Sequence, residues 1–105
     1  MRQVIERYQA AYGALDARSA QGIWPRVNAE ALARAFAGLT AQELRFDDCG
    51  VDIRGTAALA TCRGSVRYVP KIGRQEPRID ARVWTFSLEK QGPQWLIASA
   101  RAAGR

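Results

Sequence analysis

The chain has 105 residues, 48% of them hydrophobic, and a net charge of +6 from 16 basic and 10 acidic side chains. That length supports one domain with one hydrophobic core, and that composition excludes a disordered chain. There is no histidine, which removes the commonest general base, the commonest metal ligand and every Ser-His or Cys-His nucleophile pair.

Residues 3–16 set Val4, Ile5, Tyr8, Ala11, Tyr12 and Leu15 on one stripe, with Gln3, Glu6, Arg7 and Gln9 off it. This spacing predicts an amphipathic helix facing a core. Asp16 or Ser19 is placed to cap a short turn that ends at Trp24-Pro25. Asn28 caps a further helix with Glu30 in its first turn, an apolar face of Leu32, Ala35, Phe36 and Leu39, and Gly38 at its end.

From residue 42 the pattern is that of strands. Leu44 and Phe46 share one parity and Cys49, Val51 and Ile53 the other, so a bulge is predicted at Asp47-Asp48. Arg54-Gly55-Thr56-Ala57 reads as a two-residue hairpin loop with glycine where a type II′ turn requires it. The second arm, 58–69, alternates Ala60, Cys62, Gly64, Val66 and Tyr68 against Thr61, Arg63, Ser65 and Arg67. A polar loop between Pro70 and Pro77 leads to a third strand over 78–90, and Gln91-Gly92-Pro93 turns it into a fourth over 94–101. Two or three helices before a four-stranded antiparallel meander define one α+β domain over 1–105, with the helices on one face of a curved sheet.

Counting back from the hairpin loop, Cys49 faces Cys62 at a non-hydrogen-bonded pair, where side chains approach most closely. A strained cross-strand disulfide is sterically allowed there. The preferred reading is a pair of buried thiols, because two cysteines do not by themselves announce an oxidising compartment. The ligand count is too small for zinc, and neither a metal nor another cofactor is expected. No apolar run suits membrane insertion, and MRQVIERYQAAY lacks a signal-peptide core. The default location is cytoplasmic, or extracytoplasmic if the domain belongs to a membrane-anchored parent.

The pattern Tyr8-x-x-Ala11-Tyr12-x-x-x-Asp16, the Trp24-Pro25 ending and the Phe36 helix resemble the first half of nuclear-transport-factor-2-like domains. The bulged first strand, the Gly55-Thr56 hairpin and Trp84-x-Phe86-x-Leu88 … Gly92-x-x-Trp95-x-Ile97 resemble the second half. This resemblance spans residues 3–101 and implies a cone with a cavity between the helices and the concave sheet. It also implies a superfamily of isomerases, dehydratases, polyketide cyclases and non-catalytic binding or association domains. The segment Cys62-Arg63-Gly64 … Tyr68-Val69-Pro70-Lys71 … Trp84 is similar to short accessory domains attached to bacterial serine/threonine protein kinases, which implies a sensory module. The chain itself has no kinase motif.

Tyr8, in the run Arg7-Tyr8, matches the oxyanion-donor tyrosine of the steroid-isomerase branch. The loop carrying that branch's general base has no counterpart, and Asp47, Asp48, Asp52 and Asp80 lie on strands where carboxylates face solvent. No catalytic residue is assigned, and an isomerase, cyclase or dehydratase using Tyr8 as donor is the alternative reading. The nine aromatics are core by default. The polar tips of Tyr and Trp also suit a cavity for a small apolar or aromatic ligand, with Tyr8, Tyr12, Trp24, Phe36, Tyr68, Arg82, Trp84 and Trp95 as candidate ligand-binding residues. Trp24 doubles as a lid over the helical side. Arg82 shares parity with Trp84, Phe86 and Leu88, and pointing inward it favours an anionic group. Val83, Thr85 and Ser87 share the outer face with Arg63, Ser65 and Arg67. A small-molecule ligand is the expected partner, that sheet face is a candidate homodimer surface, and an association domain using the outer sheet face is the third reading. Nucleic acid is not expected, because the arginine stripe lacks flanking aromatics for stacking.

Overall fold

Three short helices precede four long strands in the computed structural model, which describes residues 1–104. The helices are α1 (Arg2–Gly13), α2 (Ala17–Ile23) and α3 (Ala29–Ala37). The strands are β1 (Leu39–Arg54), β2 (Ala57–Pro70), β3 (Arg78–Gln91) and β4 (Gln94–Gly104). They form one antiparallel sheet in the order β1-β2-β3-β4, and the helices cover one face. No helix among the described residues is long and apolar enough to cross a membrane.

The helix ends follow from local chemistry. α1 stops at Gly13, short of the expected end at 16, because Leu15 turns left-handed at φ 56°. The Leu15 N–H then reaches the Tyr12 carbonyl and the Asp16 N–H the Ala11 carbonyl, satisfying two of the helix's last carbonyls. Asp16, rather than Ser19, caps α2: its carboxylate accepts from the Ser19 N–H at 3.1 Å and from the Ser19 hydroxyl at 2.7 Å. These bonds hold the Asp16 carboxyl below the usual carboxylate range. Trp24 ends α2 outside the helical region, at φ −136° and ψ 79°, in line with the bar that Pro25 behind it sets against a helical residue. Asn28 caps α3 through the Ala31 N–H at 3.0 Å. The apolar face expected for α3 is narrower in the structure: Phe36 is buried, Ala35 is exposed, and Leu39 already belongs to β1.

The inner face of the sheet is built from large side chains on β3, flanked by small ones on both sides at Trp84 and Phe86 and on the β2 side at Leu88, which meets Ile97 on β4. Leu88, Phe86 and Trp84 lie opposite Ala58, Ala60 and Cys62 of β2. On the other side Phe86 and Trp84 lie opposite Ala100 and Ala102 of β4. Val4, Ile5 and Tyr8 of α1 and Ile23 of α2 close over this ridge, giving one core. Each such side chain contributes about 1.5–3 kcal/mol when fully buried.

The predicted bulge falls where expected. Phe46 pairs with Gly64 and Asp48 with Arg63, leaving Asp47 as the extra residue. Its physical counterpart on β2 is Gly64, where a Cβ would overlap the Arg45 carbonyl oxygen. Two further irregularities carry no sequence signal, at Thr40 in β1 and at Ala98 in β4.

The cysteine reading requires correction. Cys49 and Cys62 are joined in a disulfide with Cα atoms 4.1 Å apart. Only Cys62 is buried, because Cys49 sits on the edge strand, which has a neighbour on one side only.

Two outcomes test this framework by chemical denaturation. Replacing Gly64→Ala costs about 2–3 kcal/mol of unfolding free energy, the range for forcing atoms into a packed site. Reducing the disulfide, which closes a loop with a sequence separation of 13, costs about 2–3 kcal/mol on a chain-entropy basis.

Candidate functional site

A cavity of about 340 Å³ lies between α1 and the inner sheet face, lined by Tyr8, Tyr12, Leu39, Gln42, Leu44, Val66, Tyr68, Arg82, Trp84 and Ala102. Its helical wall is a pair of tyrosines one turn apart. The Tyr8 and Tyr12 rings stack with centroids 4.1 Å apart. Tyr8 packs edge-on against Phe86 at 4.9 Å and Tyr12 edge-on against Phe36 at 5.1 Å. On the sheet side Phe46 meets Trp84 edge-on at 4.9 Å. Such contacts fix ring orientation as well as burying area.

Burial drives the Tyr8 phenol well above the ordinary tyrosine value, and the Tyr12 phenol beside it adds to the rise. Tyr12 is also raised, again chiefly by burial, with Tyr8 opposing the shift. Both are therefore neutral at physiological pH and carry an O–H. Two glutamines fasten this helix to the edge strand. The Gln9 amide donates to the Leu44 carbonyl at 2.6 Å, and the Gln42 amide donates to the Tyr12 carbonyl at 2.9 Å.

The polar end of the cavity is a cluster on β2 and β3. The Tyr68 hydroxyl donates to Asp80 Oδ2 at 3.1 Å, and Arg82 donates to the same oxygen at 3.0 Å. A second Arg82 nitrogen donates to the Ala81 carbonyl at 3.0 Å. The Arg82 and Asp80 side chains are only 31% and 38% exposed, so this pair is screened less than the other two ion pairs. Arg78 pairs with Tyr68 in the register but is exposed and does not line the cavity, so Arg82 is the charged side chain of the lining, with Asp80 behind it.

Five of the residues singled out from the sequence thus line one cavity: Tyr8, Tyr12, Tyr68, Arg82 and Trp84. Phe36 stands behind Tyr12. Trp24 and Trp95 pack against the core and do not line this cavity; Trp95 borders a separate cleft with Val4 and Ile23. Asp80, expected to face solvent, is instead half-buried and bonded to two cavity residues. Its parity with Arg82 and Trp84 is the signal that places it there. Gln42 was not singled out, and an isolated polar residue on an edge strand gives no such signal. Asp47, Asp48 and Asp52 are exposed, and no charged side chain among the described residues is buried. No cluster of three His, Cys, Asp or Glu groups capable of holding a metal occurs among the described residues.

The architecture is the cone-shaped nuclear-transport-factor-2-like fold. A proposed dehydratase of the NTF2-like family from Streptomyces avermitilis superposes with a TM-score of 0.84 at 14% identity, covering 99% of this chain and 93% of the other. A nuclear transport factor 2-like superfamily protein from Salmonella enterica matches at 0.82 and 16% identity, over 97% and 86% of the two chains. A proposed calcium/calmodulin dependent protein kinase II association domain from Xanthomonas campestris matches at 0.73 and 11% identity, over 99% and 84%. At such identities the likeness is one of fold. No sequence-family model and no curated protein sequence matches the chain.

The buried phenols yield a pH prediction. An unfolded tyrosine ionises near pH 10, whereas Tyr8 and Tyr12 keep their protons when folded. Above that pH the folded state binds more protons than the unfolded state, so stability falls as pH rises. Denaturation midpoints should drop above about pH 10, and less steeply in the Tyr8→Phe/Tyr12→Phe variant.

Proposed function

We propose that the chain is a non-catalytic accessory domain that binds a small aromatic ligand carrying one anionic group. The observation that carries this reading is the pairing of an aromatic wall with a polar end in one cavity. Tyr8, Tyr12 and Trp84 offer ring faces, and Arg82 with Tyr68 and Asp80 stands at the other end. The volume of about 340 Å³ falls at the small end of the range for ligand sites. A flat ring system would displace water from the apolar walls, and its anionic group would share Arg82 with Asp80. Arg82 spends one N–H on Asp80 and one on the Ala81 carbonyl, and the remaining donors of its guanidinium can meet an anion.

The same cavity supports a second reading as a small isomerase, cyclase or dehydratase. Tyr8 would act as donor and Asp80 as the acid-base group, being the half-buried carboxylate on the cavity's face. The binding reading ranks first because Asp80 does not itself line the cavity and stands behind Tyr68 and Arg82, which both bond its Oδ2. Catalysis needs a base with a free lone pair aimed at substrate as well as a donor. A homodimer through the outer sheet face ranks lower still, since Arg63 and Arg67 would be brought towards their copies. The accessory role rests on the resemblance to kinase-attached domains, and the likeness to an association domain fits it.

Titration calorimetry with naphthoate, salicylate, cinnamate and their uncharged amides tests the assignment. At least one acid should bind, and Arg82→Gln should weaken it about tenfold, the worth of a charge-assisted hydrogen bond, leaving the amide unchanged. Equal loss for acid and amide, or no binding by any member, would refute it. Turnover abolished by Asp80→Asn would favour the enzyme.

A further inference from the structure

Beyond the bulge at Asp47, the register of β1 with β2 runs unbroken from Asp48 to Arg54. This half of β1 is a free sheet edge. Arg54 and Ala57 flank the two-residue turn as a hydrogen-bonded pair, so the strict alternation of an antiparallel ladder aims the N–H and C=O groups of Cys49, Val51 and Ile53 away from β2. The 4.1 Å Cα separation of Cys49 and Cys62 is the close spacing of a non-hydrogen-bonded pair, in agreement.

The same three residues carry their side chains on the inner face, opposite Cys62, Ala60 and Ala58. Val51 is nevertheless 46% and Ile53 58% exposed, because α1 does not reach across them. A groove of about 450 Å³ lies between the helix and this strip, with Met1, Ile5, Phe46, Cys49, Val51 and Ile53 among its walls. Open backbone donors and acceptors therefore coincide with an open apolar strip. Sheet edges in monomers are usually blunted by charged side chains, proline or a bulge; 48–54 contains no lysine, proline or bulge, and its charges, Asp48, Asp52 and Arg54, are of both signs. The other half of β1 is held by α1 through Gln9 and Gln42.

We propose that this edge pairs with the same edge of a second copy, antiparallel about a twofold axis at Val51. The chain's own sequence supplies the argument for that occupant. In this register Val51 faces its counterpart and Cys49 faces Ile53 on the inner side. On the outer side Asp48 faces Arg54 twice and Gly50 faces Asp52, so the strip is apolar within and charge-complementary without. Moving the axis one residue towards Arg54 sets Asp52 against Asp52, and moving it towards Asp48 sets Asp48 against Asp52. Moving it by half a residue puts the two copies' helices on opposite faces of the joined sheet. An axis at Ile53 also sets Asp52 against Arg54, but it runs the pairing into the Gly55-Thr56 turn, so the axis at Val51 is the one that satisfies both sides over the whole of 48–54. The pairs Val51–Val51 and Cys49–Ile53, whose backbone groups point away from β2, each exchange two backbone hydrogen bonds, and the partner's Ile53 enters the groove beside Cys49 and Phe46. The product is a continuous eight-stranded sheet with both cavities on one side.

Sedimentation velocity across about 1–500 μM protein tests this, since so short an interface belongs to the weak class. The wild type should show a monomer–dimer equilibrium. Asp48→Arg and Arg54→Asp should each weaken it about tenfold by setting like charges opposite one another at two symmetry-related positions, and the double variant should return to within about threefold. Val51→Lys, at a half-exposed site, should be monomeric with an unchanged circular dichroism spectrum. A wild type monomeric throughout, a dimer that survives Val51→Lys, or a double variant no better than the singles would overturn the proposal. None of these residues lines the ligand cavity.

Discussion

Everything on the inner face depends on the size contrast across β3. Trp84 and Phe86 project between Cys62 and Ala60 on β2 and Ala102 and Ala100 on β4, while Leu88 lies between Ala58 and Ile97. Large side chains on adjacent strands would compete for the same space, whereas large against small interdigitates at crystal-like density. The ridge also sets where α1 can lie, because Tyr8 meets Phe86 edge-on. Where the large residues give way to Arg82, no ring replaces them, and the cavity is the space that remains.

The cavity is therefore partly a packing residue of the core and partly a chemical choice. Its walls are shared with the core: Tyr8 and Trp84 belong to the buried cluster and to the lining at once. This sharing couples stability to occupancy, since anything that fills the space also adds contacts to the framework. Binding to the folded state alone raises the apparent stability with the logarithm of one plus ligand concentration over Kd.

Much of this was legible in the residues, for definite reasons. The hairpin at Gly55-Thr56 fixed the pairing of β1 with β2, so the bulge and the Cys49–Cys62 juxtaposition followed by counting. Alternation along β3 put Arg82 on the same side as Trp84. What was not legible depends on contacts distant in sequence. Gln9 and Gln42 act through backbone carbonyls more than 25 residues away. Asp80 was misplaced because a strand carboxylate was assumed to face solvent, and Tyr68 and Arg82 reverse that default by supplying hydrogen bonds. The end of α1 was missed because a leucine adopts a backbone region that favours glycine. Trp24, picked out at the Trp-Pro bend, and Trp95 both pack against the core outside this cavity, and Trp95 borders a separate cleft.

The bulge at Asp47 has a consequence for how this chain tolerates change in length. Two blocks of β1, Leu44 with Phe46 and Cys49 with Val51 and Ile53, point to one face only because an extra residue stands between them. Asp47 is exposed, so exchanging its side chain disturbs little. Deleting it would shift the reading frame of the pleat, turning either the aromatic block or the disulfide block out of the core. At this position the presence of a residue matters more than its identity. Among homologous chains the spacing between Phe46 and Cys49 should therefore be held more strictly than the two residues that fill it.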